Sequence, residues 1–186
     1  MITQIARYFS AAADWKLLIA AILLYIFFGA YIMPNGAQKI RDLSGGKEVE
    51  ILDLQFAYSP DSARAYLAEY TPEARDFAIK FGLGADFFYP MAYTFLLVVI
   101  VALIYKSPEA KTTVWRNIHL FPFAVLLVDY FENIGIASLH FNYPDVADWQ
   151  VRVASSLTSL KWSLFAAVIA IVVWGFIRKF TAKKAL

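Results

Sequence analysis

The chain has 186 residues, 60% of them hydrophobic, a formal net charge of +2 and no cysteine. Soluble domains sit near 45–50% apolar, so the excess points to lipid as the solvent. The balanced charge, with no Lys/Arg stripe, excludes a nucleic-acid surface, and the missing thiols exclude disulfides, thiolate metal sites and cysteine nucleophiles.

A bilayer core of about 30 Å takes ~20 helical residues at 1.5 Å each. Four stretches meet that length, at about 15–33, 87–105, 118–141 and 153–177. The expected fold class is all-α: an integral membrane four-helix bundle forming one membrane domain over 1–186, with a small, partly helical extracytoplasmic cap at about 34–86. The first stretch exceeds a secretory h-region and lacks an A-x-A cleavage pattern, so it reads as a retained helix.

Four spans put the N-terminus, the 106–117 loop and the C-terminus on one side. Arg7, Lys16, Lys106, Lys111, Arg116, Arg178, Lys179, Lys183 and Lys184 lie there, against Asp14 and Glu109 alone. The opposite side carries seven basic and eleven acidic residues. The positive-inside rule then places both termini in the cytoplasm, with Trp15, Trp115 and Trp174 in the aromatic belt of that interface.

Beyond the first span, Pro34-Asn35-Gly36 and Ser44-Gly45-Gly46 read as turns. The alternating apolar pattern over 49–56 suggests a short extended segment. Ser59-Pro60-Asp61 and Thr71-Pro72-Glu73 each set a hydroxyl cap before a first-turn proline and an acid, the signature of a helix start. The first helix, about 60–70, aligns Ala63, Tyr66, Leu67 and Tyr70. The second, from Pro72, turns Phe77, Phe81 and Leu83 inward and can run on towards the second span, with Gly82-Leu83-Gly84 as the hinge.

The spans themselves contain ionisable residues, and a charge at mid-bilayer depth faces a partner or a cavity because exposing it to lipid is costly. Glu132 lies nine residues before Phe141 and Lys161 eight after Val153. On antiparallel neighbours this sets both charges ~12–13 Å below the same boundary, and an ion pair is expected. Asp129, Glu132 and Asn133 share one face at i, i+3, i+4. Two carboxylates so close need a compensating cation, Lys161 or a bound one.

Asp86, Tyr89, Pro90 and Tyr93 open the second span at helical spacing, with a kink expected at Pro90. Ser155 and Thr158 precede Lys161 on the fourth, and Trp162 follows it. The expected ligand-binding set is therefore Asp86, Tyr89, Tyr93, Asp129, Glu132, Asn133, Thr158, Lys161 and Trp162, around a polar cavity in the outer half. Asp129 and Glu132 are the candidate catalytic acids. Tyr130 is a further aromatic expected near them.

Sharper motifs fail. Gly82-Leu83-Gly84-Ala85-Asp86 has one residue too many for the Gly-x-Gly-Asp of intramembrane aspartyl proteases. His119 and His140 stand some 30 Å apart on one helix, too far for a shared metal. His140 reads as a rim residue, paired with Asp86 or, more simply, solvated; no Gly-rich phosphate loop is present and no Ser-His-acid set can be assembled. Neither metal nor cofactor is expected.

Several of these residues carry a resemblance: 52–59 (Leu-Asp-Leu-Gln-Phe-Ala-Tyr-Ser), Ala74-Arg75-Asp76-Phe77, Asp86-Phe87-Phe88-Tyr89-Pro90, Asp129-Tyr130-Phe131-Glu132-Asn133, Tyr143-Pro144 and Leu160-Lys161-Trp162. Together they resemble a family of small bacterial four-helix membrane proteins. That family has no assigned activity, so the resemblance implies the inner membrane of a bacterium but carries over no catalytic residues. The plan is also similar to the sterol-isomerase and sigma-2-receptor superfamily, by analogy of fold alone. The reading that results is recognition of a small lipid-like or amphipathic molecule. Asp129 and Glu132 would bind or exchange protons, Lys161 would balance charge, Asn133 would orient, and Asp86 and Tyr89 would form the entrance. The rivals are an isomerase-like intramembrane enzyme and a structural or assembly subunit that docks a partner membrane protein.

Overall fold

The computed structural model describes residues 11–105 and 117–183, which are helical with no strand among them. Arg7, Lys106, Glu109, Lys111, Trp115, Arg116 and Lys184, on which the orientation rests in part, lie outside the described residues. Four helical stretches are long and apolar enough to cross a membrane: Trp15–Leu43, Pro72–Ile104, Ile118–Asn142 and Asp148–Thr181.

Asp14 starts α1 (Trp15–Phe27) by accepting the Leu17 N–H at 2.8 Å. A π-helical turn, Phe28–Ile32, follows and runs directly into α2 (Met33–Leu43). The turn expected at Pro34-Asn35-Gly36 is thus helix. Pro34 occupies the first regular turn after the wide one, where a missing N–H costs least. Asn35 Nδ2 donates to the Tyr31 carbonyl at 2.6 Å. Gly36 leaves room for the Phe81 ring, since a Cβ there would lie 2.2 Å from Phe81 Cζ.

The chain leaves α2 through Gly45 and Gly46, whose φ values of 78° and 77° need glycine. The extended reading of 49–56 holds only at its ends: Ile51 and Gln55 are extended, but Leu52–Leu54 is a 3₁₀ turn. α3 (Pro60–Ala68) and α4 (Pro72–Gly82) start at the expected caps, Ser59 and Thr71. Leu83, expected inward, is 46% exposed because α4 ends beside it. α5 (Ala85–Ile104) follows, with Pro90 inside it. A 3₁₀ turn, Ile118–Leu120, leads to α6 (Pro122–Asn142), and α7 (Asp148–Lys183) closes the fold.

α5 is the hub. It packs on α1, α6 and α7, and ten of its residues are buried, against Ala21 alone in α1. Side chains such as Leu23, Phe131, Val153 and Phe176 point outward from α1, α6 and α7, the pattern expected of helices whose solvent is lipid. Tyr93, Leu97, Val125 and Val168 pack together deep among α5, α6 and α7. Leu52, Tyr58, Ala63 and Leu67 pack on Leu139, Val151 and Ala154 and seat the 52–68 region on one end of α6 and α7.

Candidate functional site

Two polar regions lie side by side at that end. The first is a closed knot between α5, α6 and α7. Lys161 Nζ sits 2.6 Å from Glu132 Oε2, and Glu132 is fully buried. The pairing follows from the matched depths of the two residues on antiparallel helices. Tyr93 donates its hydroxyl to Asp129 Oδ2 at 2.6 Å. Lys161 Nζ and Trp162 Nε1 both donate to the Asp53 carbonyl, at 3.3 and 3.1 Å.

The segment carrying Asp53 is stitched along α7. Ser155 Oγ accepts the Tyr58 N–H at 2.9 Å, and Ser159 Oγ donates to the Phe56 carbonyl at 2.9 Å. Tyr58 OH and Thr158 Oγ1 stand 3.4 Å apart. Burial pushes the Tyr58 phenol up to about 12, with the nearby Glu132 and Asp53 carboxylates adding to the rise. It stays protonated, and so uncharged, well past the pH at which an ordinary tyrosine ionises.

The second region is a cavity of about 380 Å³ between α2, the 51–54 turn, α4, the start of α5, and α6. Met33, Ala37, Ile40, Phe81 and Ile136 give it apolar walls. Asp53, Asp86, Asn133 and His140 supply polar groups, with Tyr70 and Tyr89 beside them. Asn133 and His140 are each only 6% exposed, yet Asn133 Nδ2 and His140 Nδ1 have no hydrogen-bond partner; neither has the buried Asp53 Oδ1. Buried polar atoms of this kind normally find partners, and each lone one calls for a reason.

Tyr70 holds the cavity's outer wall. It donates to the Glu50 carbonyl at 2.9 Å, and its ring meets the His140 ring edge-on at 4.8 Å. Burial raises its phenol well above the ordinary value. His140, expected to be solvated, is covered here because α3 and α4 bring Tyr70 over it.

Of the nine ligand-binding residues expected, Asp86, Tyr89 and Asn133 line this cavity. Tyr93, Asp129, Glu132, Thr158, Lys161 and Trp162 belong to the knot beside it and are absent from the lining. Tyr130 is turned away, stacked on Phe87 at 4.0 Å. Asp53 and His140 were not in the expected set. Asp53 lay in a stretch read as extended, and the only signal was an acid between two leucines. Among the described residues no group of three or more His, Cys, Asp or Glu is placed to hold a metal.

No family model, curated protein or solved structure matches the chain. The resemblance seen in the sequence gains no support from these comparisons, and function rests on the geometry.

Proposed function

We propose that the chain is a multi-pass protein of a bacterial inner membrane, a single membrane domain with both termini cytoplasmic and a cap at the outer end, narrowed from the expected 34–86 to 44–71 because Trp15–Leu43 and Pro72–Ile104 are continuous helical stretches. In this reading it binds a small lipid-like or amphipathic molecule in the cavity beside α2, α4 and α6. The observation that carries the reading is a pocket of about 380 Å³ with apolar walls and three partnerless buried polar atoms. Ligand sites are commonly ~300–1,000 Å³, mostly apolar, with a few placed polar groups. Asp86, Asn133 and His140 would meet the head of the molecule, and Ile40, Phe81 and Ile136 its apolar part.

The structural rival draws on the knot. Lys161 and Trp162 tie the 52–58 segment to the bundle, as glue between elements would. The isomerase-like rival needs an acid at the ligand. Asp86 meets that need, whereas Asp129 accepts from Tyr93 and Glu132 faces Lys161.

Native mass spectrometry of the protein purified in mild detergent tests the reading. A stoichiometric small molecule, absent from Ala137→Phe because the larger side chain fills the cavity, is the expected result. Only bulk lipid, unchanged in that variant, would favour the structural rival.

A further inference from the structure

The lining of the cavity restricts the chemistry of what it takes, given that it binds a ligand at all. Two carboxylates, Asp53 and Asp86, line it, and no Lys or Arg is among the described lining residues. The nearby ammonium of Lys161 is already held, 2.6 Å from Glu132 and 3.3 Å from the Asp53 carbonyl. Asp53, Asp86, Asp129 and Glu132 thus share one ammonium in a part of the molecule where unbalanced charge is costly. The acids alone would not define a site. The independent observation is that Asn133 and His140, over nine-tenths buried and lining the same cavity, hold polar atoms without partners.

Asp53 is also fixed in place. Its carbonyl accepts from both Lys161 and Trp162, which leaves its carboxylate at the cavity wall with Oδ1 buried and without a donor. An acceptor in that position is completed by an N–H or O–H, and an ionised carboxylate best by a donor that also carries positive charge. A quaternary ammonium supplies charge without a hydrogen, and an alcohol a hydrogen without charge. A phosphate-bearing headgroup would bring a second anion to a wall without a cation, where like charges repel.

We propose that the cavity takes a single-chain amphiphile whose head is an N–H-bearing ammonium, seated on Asp53 and Asp86, with its chain along Ile40, Phe81 and Ile136. Asn133 Nδ2 remains free to donate to a hydroxyl or carbonyl oxygen next to the amine. In this arrangement Lys161 is a positioning residue: it orients Asp53 through the backbone and makes no contact with the ligand.

The test follows the thermal unfolding midpoint of the detergent-purified protein during titration with decylamine, decyltrimethylammonium, decanol or phosphatidylethanolamine. The expected result is a saturable upward shift with decylamine at a concentration at least tenfold below that needed for the other three. Asp53→Asn and Asp86→Asn, each compared with its own ligand-free midpoint, should erase the preference for decylamine over decanol and leave decanol binding intact. Because the readout is a ratio of two probes on one protein, a destabilised variant still reports, and whichever of the two folds suffices.

Equal binding of decylamine and decanol, with both lost in Ala137→Phe, would overturn the ammonium proposal and leave the cavity reading standing. A preference for decyltrimethylammonium would overturn the N–H requirement, and a preference for phosphatidylethanolamine would overturn the exclusion of phosphate. If no probe saturates and Ala137→Phe changes nothing, both readings fall.

Discussion

The knot and the cavity are neighbours built from adjacent residues of one helix, yet they handle buried polarity in opposite ways. Glu132 faces Lys161 at 2.6 Å and is sealed from solvent, while Asn133, one residue on, lines a cavity with its amide nitrogen unpartnered. A paired charge in a low-dielectric place holds its surroundings together, because losing either partner strands the other. An unpartnered amide adds little to the fold, and its removal costs correspondingly little. Stability and occupancy should therefore separate along α6.

The largest effect should come from Lys161→Met, which strands the buried Glu132 carboxyl without its partner; a loss of about 3–5 kcal/mol is expected. Thermal unfolding in detergent would show it, and the double variant with Glu132→Met should recover much of the loss. If the double variant is no better than the single, the knot is not held by an ion pair. Next is Tyr93→Phe, which removes the donor to Asp129; about 1–3 kcal/mol is expected for a buried carboxyl left without its donor. An unchanged midpoint would mean that Asp129 finds another donor.

Gly36→Ala tests the wall between α2 and α4. The added methyl meets the Phe81 ring, and overpacking of this kind costs about 1–3 kcal/mol. Phe81→Leu in the same chain should relieve it, and failure to do so would place the contact elsewhere. Smaller still is Ser155→Ala, which takes the acceptor from the Tyr58 N–H; the expected loss is about 1 kcal/mol, and faster amide exchange at Tyr58 would report it.

Asn133→Leu should change stability least of all, within about 1 kcal/mol, and yet abolish the stoichiometric small molecule expected in native mass spectrometry. A large loss of stability from this one change would erase the distinction between the two regions.

Much of this was legible from the residues. A lysine and a glutamate at equal depth in apolar runs have few ways to be satisfied, which is why the pair was readable without coordinates. The caps at Ser59 and Thr71 were readable because a hydroxyl, a proline and an acid in that order match few local structures. What escaped was set by tertiary packing. Pro34-Asn35-Gly36 carries every local mark of a turn, and only the π-helical turn before it and the Phe81 ring beside it explain why the chain stays helical. Asp53 gained a role through two donors more than a hundred residues away, a distance no local pattern spans. His140 looks like a rim residue in the sequence, and only Tyr70, from the turn between α3 and α4, covers it.

The wide turn at Phe28–Ile32 has a further consequence. Each residue of a regular helix advances the side chains by about 100°, so one residue accommodated in a wide turn rotates everything after it by that amount. α1 before the turn runs along α5, and α2 after it offers Met33, Pro34, Ala37 and Ile40 to the cavity. Deleting a single residue within 28–32 would restore a regular helix and swing those four side chains off the wall, with the rest of the sequence untouched. The cavity thus depends on a phase offset in one helix, and single-residue length changes there are a route by which its shape can be made, lost or retuned in one step.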